Sequence, residues 1–121
     1  MSKVTGRSLT MSEAQMQQGV VACARQFGWM AHFVPDALYR RSFANKRNGH
    51  NALDLGDRGF PDLVLVRGDQ VLYRELKVGR NTLSEHQQAW RDRLLAAGVD
   101  WALWRDVDYD AVLEMLREEA A

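Results

Sequence analysis

Gly59-Phe60-Pro61-Asp62-Leu63-Val64-Leu65-Val66-Arg67-Gly68-Asp69-Gln70-Val71-Leu72-Tyr73-Arg74-Glu75-Leu76-Lys77-Val78 decides the fold. Leu63 to Val66 and then Val71, Leu72, Tyr73, Leu76 and Val78 are strand-favouring residues, and Gly68-Asp69 between the two runs is a two-residue turn of the Gly-X kind. The stretch reads as a β-hairpin with arms at 62–67 and 70–78. So tight a turn also fixes the register. Residues facing each other across it have numbers summing to 137, which sets Asp62 opposite Glu75 with Cβ atoms about 5 Å apart. Side chains alternate along a strand, so Lys77 joins them on the same face.

Two like charges face to face across a strand pair are destabilising, and a divalent cation between them reverses the sign. Mg²⁺ takes oxygen ligands, typically one or two carboxylates, with waters and substrate phosphate completing its shell. Asp62 and Glu75 suit that role, and without metal they should titrate as a coupled pair with one pKa raised. A neighbouring Lys77 ammonium could hold or help deprotonate an attacking water, which together with the ion is the machinery of phosphodiester hydrolysis. Each half alone has an ordinary explanation. A Glu-x-Lys on a solvated strand face is commonly a surface salt bridge worth about 0.5 kcal/mol, and Pro-Asp is a routine strand start. Their conjunction in register is what points to chemistry.

Working outward, residues 1–9 carry no pattern and read as a loose terminus before a single domain at 10–121. Thr10-Met11-Ser12-Glu13 reads as a capping box opening a helix that runs to about Gly28, with Met16, Val20, Cys23, Ala24 and Phe27 as its apolar stripe. Trp29 to Val34 should be a strand ended by Pro35. The long irregular stretch from Asp36 to Phe60 carries Arg40, Arg41, Lys46, Arg47, His50 and Arg58. Loops of that length tend to be functional or disordered; these bases suit phosphate contacts, with Tyr39 and Phe43 able to stack, and a solvated loop is the plain alternative.

After the hairpin, Gly79-Arg80-Asn81 is a connector, and Arg80 is a further candidate for backbone contact. Ser84-Glu85-His86-Gln87 makes a second capping box, opening a helix to about Ala97 that Gly98 stops. Such a helix start, facing the hairpin, favours anions. Trp101 to Trp104 reads as a short buried strand with Trp90, Leu94 and Leu95 packing nearby, and Asp108 can cap a last helix from Tyr109 to about Glu119 whose Val112, Leu113 and Leu116 cover the sheet edge.

With 121 residues, 46% hydrophobic and 26% charged, the composition is that of an ordinary globular domain. No apolar run approaches a membrane span and no signal-peptide pattern opens the chain, so the expectation is an intracellular, cytoplasmic protein with no membrane partner; a phage-encoded one would act in its host's cytoplasm. A single cysteine, Cys23, excludes an internal disulfide or Cys-rich zinc site and reads as a buried small hydrophobe. The three histidines lack ligand spacing; His50 and His86 are at most phosphate neighbours. Net charge is zero, yet residues 1–105 hold fifteen Lys and Arg against ten Asp and Glu, and the acidic residues from Asp106 onward conceal that surplus.

Gly59-Phe60-Pro61-Asp62, Glu75-Leu76-Lys77 and Leu83-Ser84-Glu85-His86-Gln87-Gln88-Ala89-Trp90, in this order, resemble the PD-(D/E)XK nuclease pattern and specifically its VRR-NUC branch, over roughly residues 10–105. The resemblance implies an α/β fold with a restriction-endonuclease-like core, a mixed β-sheet flanked by helices in the order α-β-β-β-α-β-α. It also implies that Asp62, Glu75 and the Leu76 carbonyl hold Mg²⁺ or Mn²⁺, that Lys77 is the catalytic lysine, that Gln87 supports the site, and that Glu13 is the helix glutamate the family places near the metals. Free-standing members of the branch look like homodimers that cut branched DNA such as four-way junctions, in repair, recombination or replication. The expected activity is therefore metal-dependent endonuclease action on branched DNA. A non-catalytic nucleic-acid-binding module on the same fold, or a nuclease for flaps, RNA or restriction-like targets, is the alternative.

Overall fold

The computed structural model describes residues 11–34 and 56–118. Among them the elements run α1 (Glu13–Gln26), β1 (Met30–His32), β2 (Leu63–Arg67), β3 (Gln70–Lys77), α2 (Glu85–Ala96), β4 (Asp100–Arg105), a 3₁₀ turn (Asp106–Asp108) and α3 (Tyr109–Arg117). This is the expected order of helices and strands. The sheet order is β1-β2-β3-β4, antiparallel through the first three strands and parallel between β3 and β4. A parallel neighbour needs a crossover, and α2 supplies it.

The hairpin forms in the register its turn dictates: Leu63 faces Arg74, Leu65 faces Leu72, and Arg67 faces Gln70. Gly68 has φ +62° while no non-glycine residue among those described has a positive φ, so positive φ falls on the first turn residue only, as a Gly-X turn requires. Alternation sends Leu63, Leu65, Leu72 and Leu76 to one face, where they meet Met16, Val20 and Ala24 of α1 and Val112 and Leu116 of α3 in the core. The opposite face is open along the cross-strand row of Met30, Val66 and Val71, all exposed.

Several expectations shift by a few residues, each for a physical reason. α1 is capped by Ser12, whose Oγ accepts from the Gln15 amide at 3.0 Å while Gln15 Oε1 accepts from the Ser12 amide at 3.0 Å. The Ser12-x-x-Gln15 box competes with Thr10-x-x-Glu13 and sets the helix start; Thr10 itself lies outside the described residues, and Glu13 occupies the first helical position instead of the reciprocal capping one. β1 is shorter than Trp29–Val34, because Trp29 turns into the core and its Nε1 donates to the Leu116 carbonyl at 2.9 Å. Cys23 is half-buried, not buried, and its Sγ lies 3.8 Å from the Leu113 carbonyl.

The C-terminal part departs further. Asp108 makes no side-chain cap to α3; its Oδ2 accepts from the Arg105 amide at 3.2 Å, closing the 3₁₀ turn instead. α3 packs mainly along α1 and not over a sheet edge. α2 has no buried residue and Leu95 is half-exposed. Trp90 of α2 meets Phe60 edge-on at 4.9 Å between ring centroids, and its Nε1 donates to the Asp57 carbonyl at 3.3 Å, so this helix is anchored through the chain that leads into β2.

Candidate active site

The hairpin and the start of α2 converge on Glu75. Asp62 stands immediately before β2, one step beyond the Leu63–Arg74 pair, and its Oδ2 accepts from the Leu76 amide at 2.8 Å. That bond ties its carboxylate to the strand carrying Glu75. Glu75 is 1% exposed, the most deeply buried acid in the described chain. Gln87 Nε2 donates to Glu75 Oε2 at 2.6 Å while Gln87 Oε1 accepts from the Ser84 amide at 2.9 Å. The same side chain therefore caps α2 and orients the buried acid.

Burial is the largest influence on the Glu75 carboxyl, followed by the charge of Asp62 and a hydrogen bond shared with it; Lys77 pulls the other way, Glu13 adds to the rise, and the pKa is pushed up to about 9. Lys77 is half-buried on the same strand face as Glu75. Glu13, Gln17, His32, Phe60, Asp62 and Leu76 line a cavity of about 390 Å³ beside the pair. The structure thus brings Asp62, Glu75, Leu76, Lys77, Gln87 and Glu13 to one place.

Whether these residues fit a metal depends on the ion. Among the described residues no group of three or more His, Cys, Asp and Glu side chains is gathered to hold one, which disfavours a zinc-type cage of side chains. Mg²⁺ or Mn²⁺ needs only one or two carboxylates, with other oxygens and waters completing the shell. Asp62 and Glu75, held side by side with Glu75 buried and its carboxyl pKa raised, are a donor set whose charge such an ion would compensate, and they fit it.

The backbone-contact candidates divide differently. Arg40, Arg41, Lys46 and Arg47, with Tyr39, Phe43 and His50, lie outside the described residues. Arg58 is exposed and lines a groove with His86, and Arg80 is exposed in the turn after β3. Residues without a sequence signal also matter. Asp106, expected on a solvated acidic face, is 2% exposed and its Oδ1 accepts from the Gly79 amide at 3.2 Å. Arg105 Nη1 donates to the Gly79 and Asn81 carbonyls at 3.2 and 2.7 Å. Together they hold the connector from β3 to α2. Arg74 is buried against Asp100 at 3.0 Å and lies over the Trp104 ring; its inward position could have been read from the alternation that buries Leu72 and Leu76.

No family model matches the sequence, and no curated protein matches it. Among solved structures the chain is similar to a VRR_NUC domain, with TM-score 0.55 and 16% identity over 84% of this chain and 94% of that one. It is also similar to a VRR_NUC domain protein, with TM-score 0.56 and 19% identity over 87% of this chain and 86% of that one. At these identities the likeness is one of fold: the chain shares the fold of those VRR_NUC domains, a mixed sheet flanked by helices.

Proposed function

We propose that this protein is a Mg²⁺- or Mn²⁺-dependent endonuclease that hydrolyses phosphodiester bonds in branched DNA, four-way junctions foremost, in repair, recombination or replication. The observation that carries the reading is the buried Glu75 paired with Asp62 and oriented by Gln87. Burying Glu75 beside the half-buried, like-charged Asp62 is costly, and a cation joining the two would offset that cost.

Asp62, Glu75 and the Leu76 carbonyl would hold the ion, which when bound supplies charge neutralisation at the phosphate being cleaved. The chain's own groups do the rest. Lys77, on the Glu75 face, positions the attacking water and steadies its developing negative charge. Gln87 keeps Glu75 in one rotamer, and its capping bond to Ser84 transmits the rigidity of α2 to the site. Glu13 lines the cavity opposite and adds negative charge that favours a bound cation. Opposed cuts at a four-way junction need two such sites, which a twofold homodimer supplies.

A cleavage panel with Mg²⁺ and Mn²⁺ tests this on four-way, flap, duplex and single-stranded DNA, with RNA alongside. Metal-dependent nicking that is strongest on the four-way junction and absent in Asp62→Asn is the expected result. Binding without nicking under every metal condition would instead make the fold a scaffold.

A further inference from the structure

Phe60 lines the carboxylate cavity and packs against Trp90, and Trp90 lines a second groove of about 680 Å³ together with Asp57, Arg58, His86 and Arg93. Two guanidinium groups, an imidazole and an indole line this groove with one acid. The indole is held in place by the Asp57 carbonyl at 3.3 Å and by the edge contact with Phe60, so little ordering would be lost on stacking. Guanidinium groups match phosphate geometry with two parallel hydrogen bonds, and an indole face accepts any base.

The groove is coupled to the carboxylate pair through two short links. Arg58 precedes Asp62 by four residues, which reach at most about 14 Å. On α2, His86 and Trp90 flank Gln87, whose side chain touches Glu75. Gly59 fixes the first link: a Cβ there would come 2.4 Å from the His86 carbonyl carbon, and its φ of +95° is one that side chains resist. A nucleic-acid strand rises about 3.4 Å per nucleotide, so the groove lies within roughly four nucleotides of a phosphate at the pair.

The geometry points to a subsite for an unpaired nucleotide flanking the scissile phosphate, with Arg58 and Arg93 holding its phosphate, His86 adding a third donor and Trp90 stacking its base. Its place relative to the scissile bond rests on the nuclease reading; its binding chemistry does not. The subsite would let the enzyme favour DNA whose strand is already unstacked beside the cut.

The test uses the full chain in EDTA, so that no cleavage is needed, titrated with fluorescent oligothymidylate and, in parallel, oligouridylate. Arg58→Ala and Arg93→Ala should each weaken oligothymidylate binding about fivefold to tenfold and lower the salt slope, the double variant by about 0.7, the share of one phosphate on a single strand. Trp90→Phe should bind but lose most of the ligand-induced quenching of tryptophan fluorescence. Unchanged affinity and salt slope in both arginine variants would overturn the subsite, as would binding of oligouridylate alone. The two readings fail separately. Wild-type cleavage with unimpaired arginine variants removes only the subsite, whereas impaired variants with no wild-type cleavage in Mn²⁺ remove only the nuclease.

Discussion

Glu75 carries the largest electrostatic strain in the described chain, and that strain has a measurable sign. Its folded pKa of about 9 exceeds the ordinary 4.5, so the folded protein retains a proton that the unfolded chain releases. The resulting stability is fully present below pH 4.5 and is lost as pH rises toward 9. Metal-free protein should therefore melt at progressively lower temperature across that window, with a limiting slope of about 1.4 kcal/mol per pH unit for one proton. Thermal scans of Glu75→Gln should show most of that slope removed; a slope equal to wild type would detach the pair from the effect. Gln87 acts one bond further out. Gln87→Ala should cut activity by about 10- to 100-fold, and a fully active Gln87→Ala would show that its bond to Glu75 is incidental. The facing of Asp62 and Glu75 was legible because a two-residue turn converts numbering into facing pairs, whereas Gln87 was legible as a helix cap and through family resemblance. Glu13 was legible only through family resemblance, since the helix cap that would have explained it belongs to Ser12 and Gln15.

At the scale of elements, the site depends on where α2 begins. Ser84 and Gln87 close its capping box, so Ser84→Ala should cost about 1 kcal/mol of stability and also reduce activity, because the same glutamine steadies Glu75. Chemical denaturation read beside activity checks both; a stability loss with full activity would separate the two roles. Gly59→Ala is expected to be far more damaging than its chemistry suggests, because the added methyl meets the backbone of His86 and Gln87. The elements themselves were readable from strand-favouring runs, turn glycines and Ser-x-x-Gln boxes. Their packing was less so. Nothing in the composition of α2 marks it as a helix without a buried residue, and Asp106 is buried because the β3–α2 connector needs an acceptor, a requirement visible only in three dimensions.

For the whole molecule, the sequence of residues 1–105 carries a surplus of bases while Glu75 is buried beside Asp62, so the net charge of that stretch and the local charge at the pair differ in sign. Among the described residues no helix is long and apolar enough to cross a membrane. If the enzyme works as a pair on four-way junctions, light scattering should give twice the 13.8 kDa chain mass; a monomer that nevertheless makes paired cuts would contradict the dimer. The order of helices and strands was legible along the chain, whereas partner and substrate are written in loops and surfaces that local patterns do not specify. The central claim, that Asp62 and Glu75 together clasp a divalent cation, is tested most directly by calorimetric titration of Mn²⁺ at neutral pH in buffers of different ionisation enthalpy. Binding should release about one proton per ion in the wild type and be lost in Glu75→Gln. Binding that releases no proton, or that survives unchanged in Glu75→Gln, would contradict it.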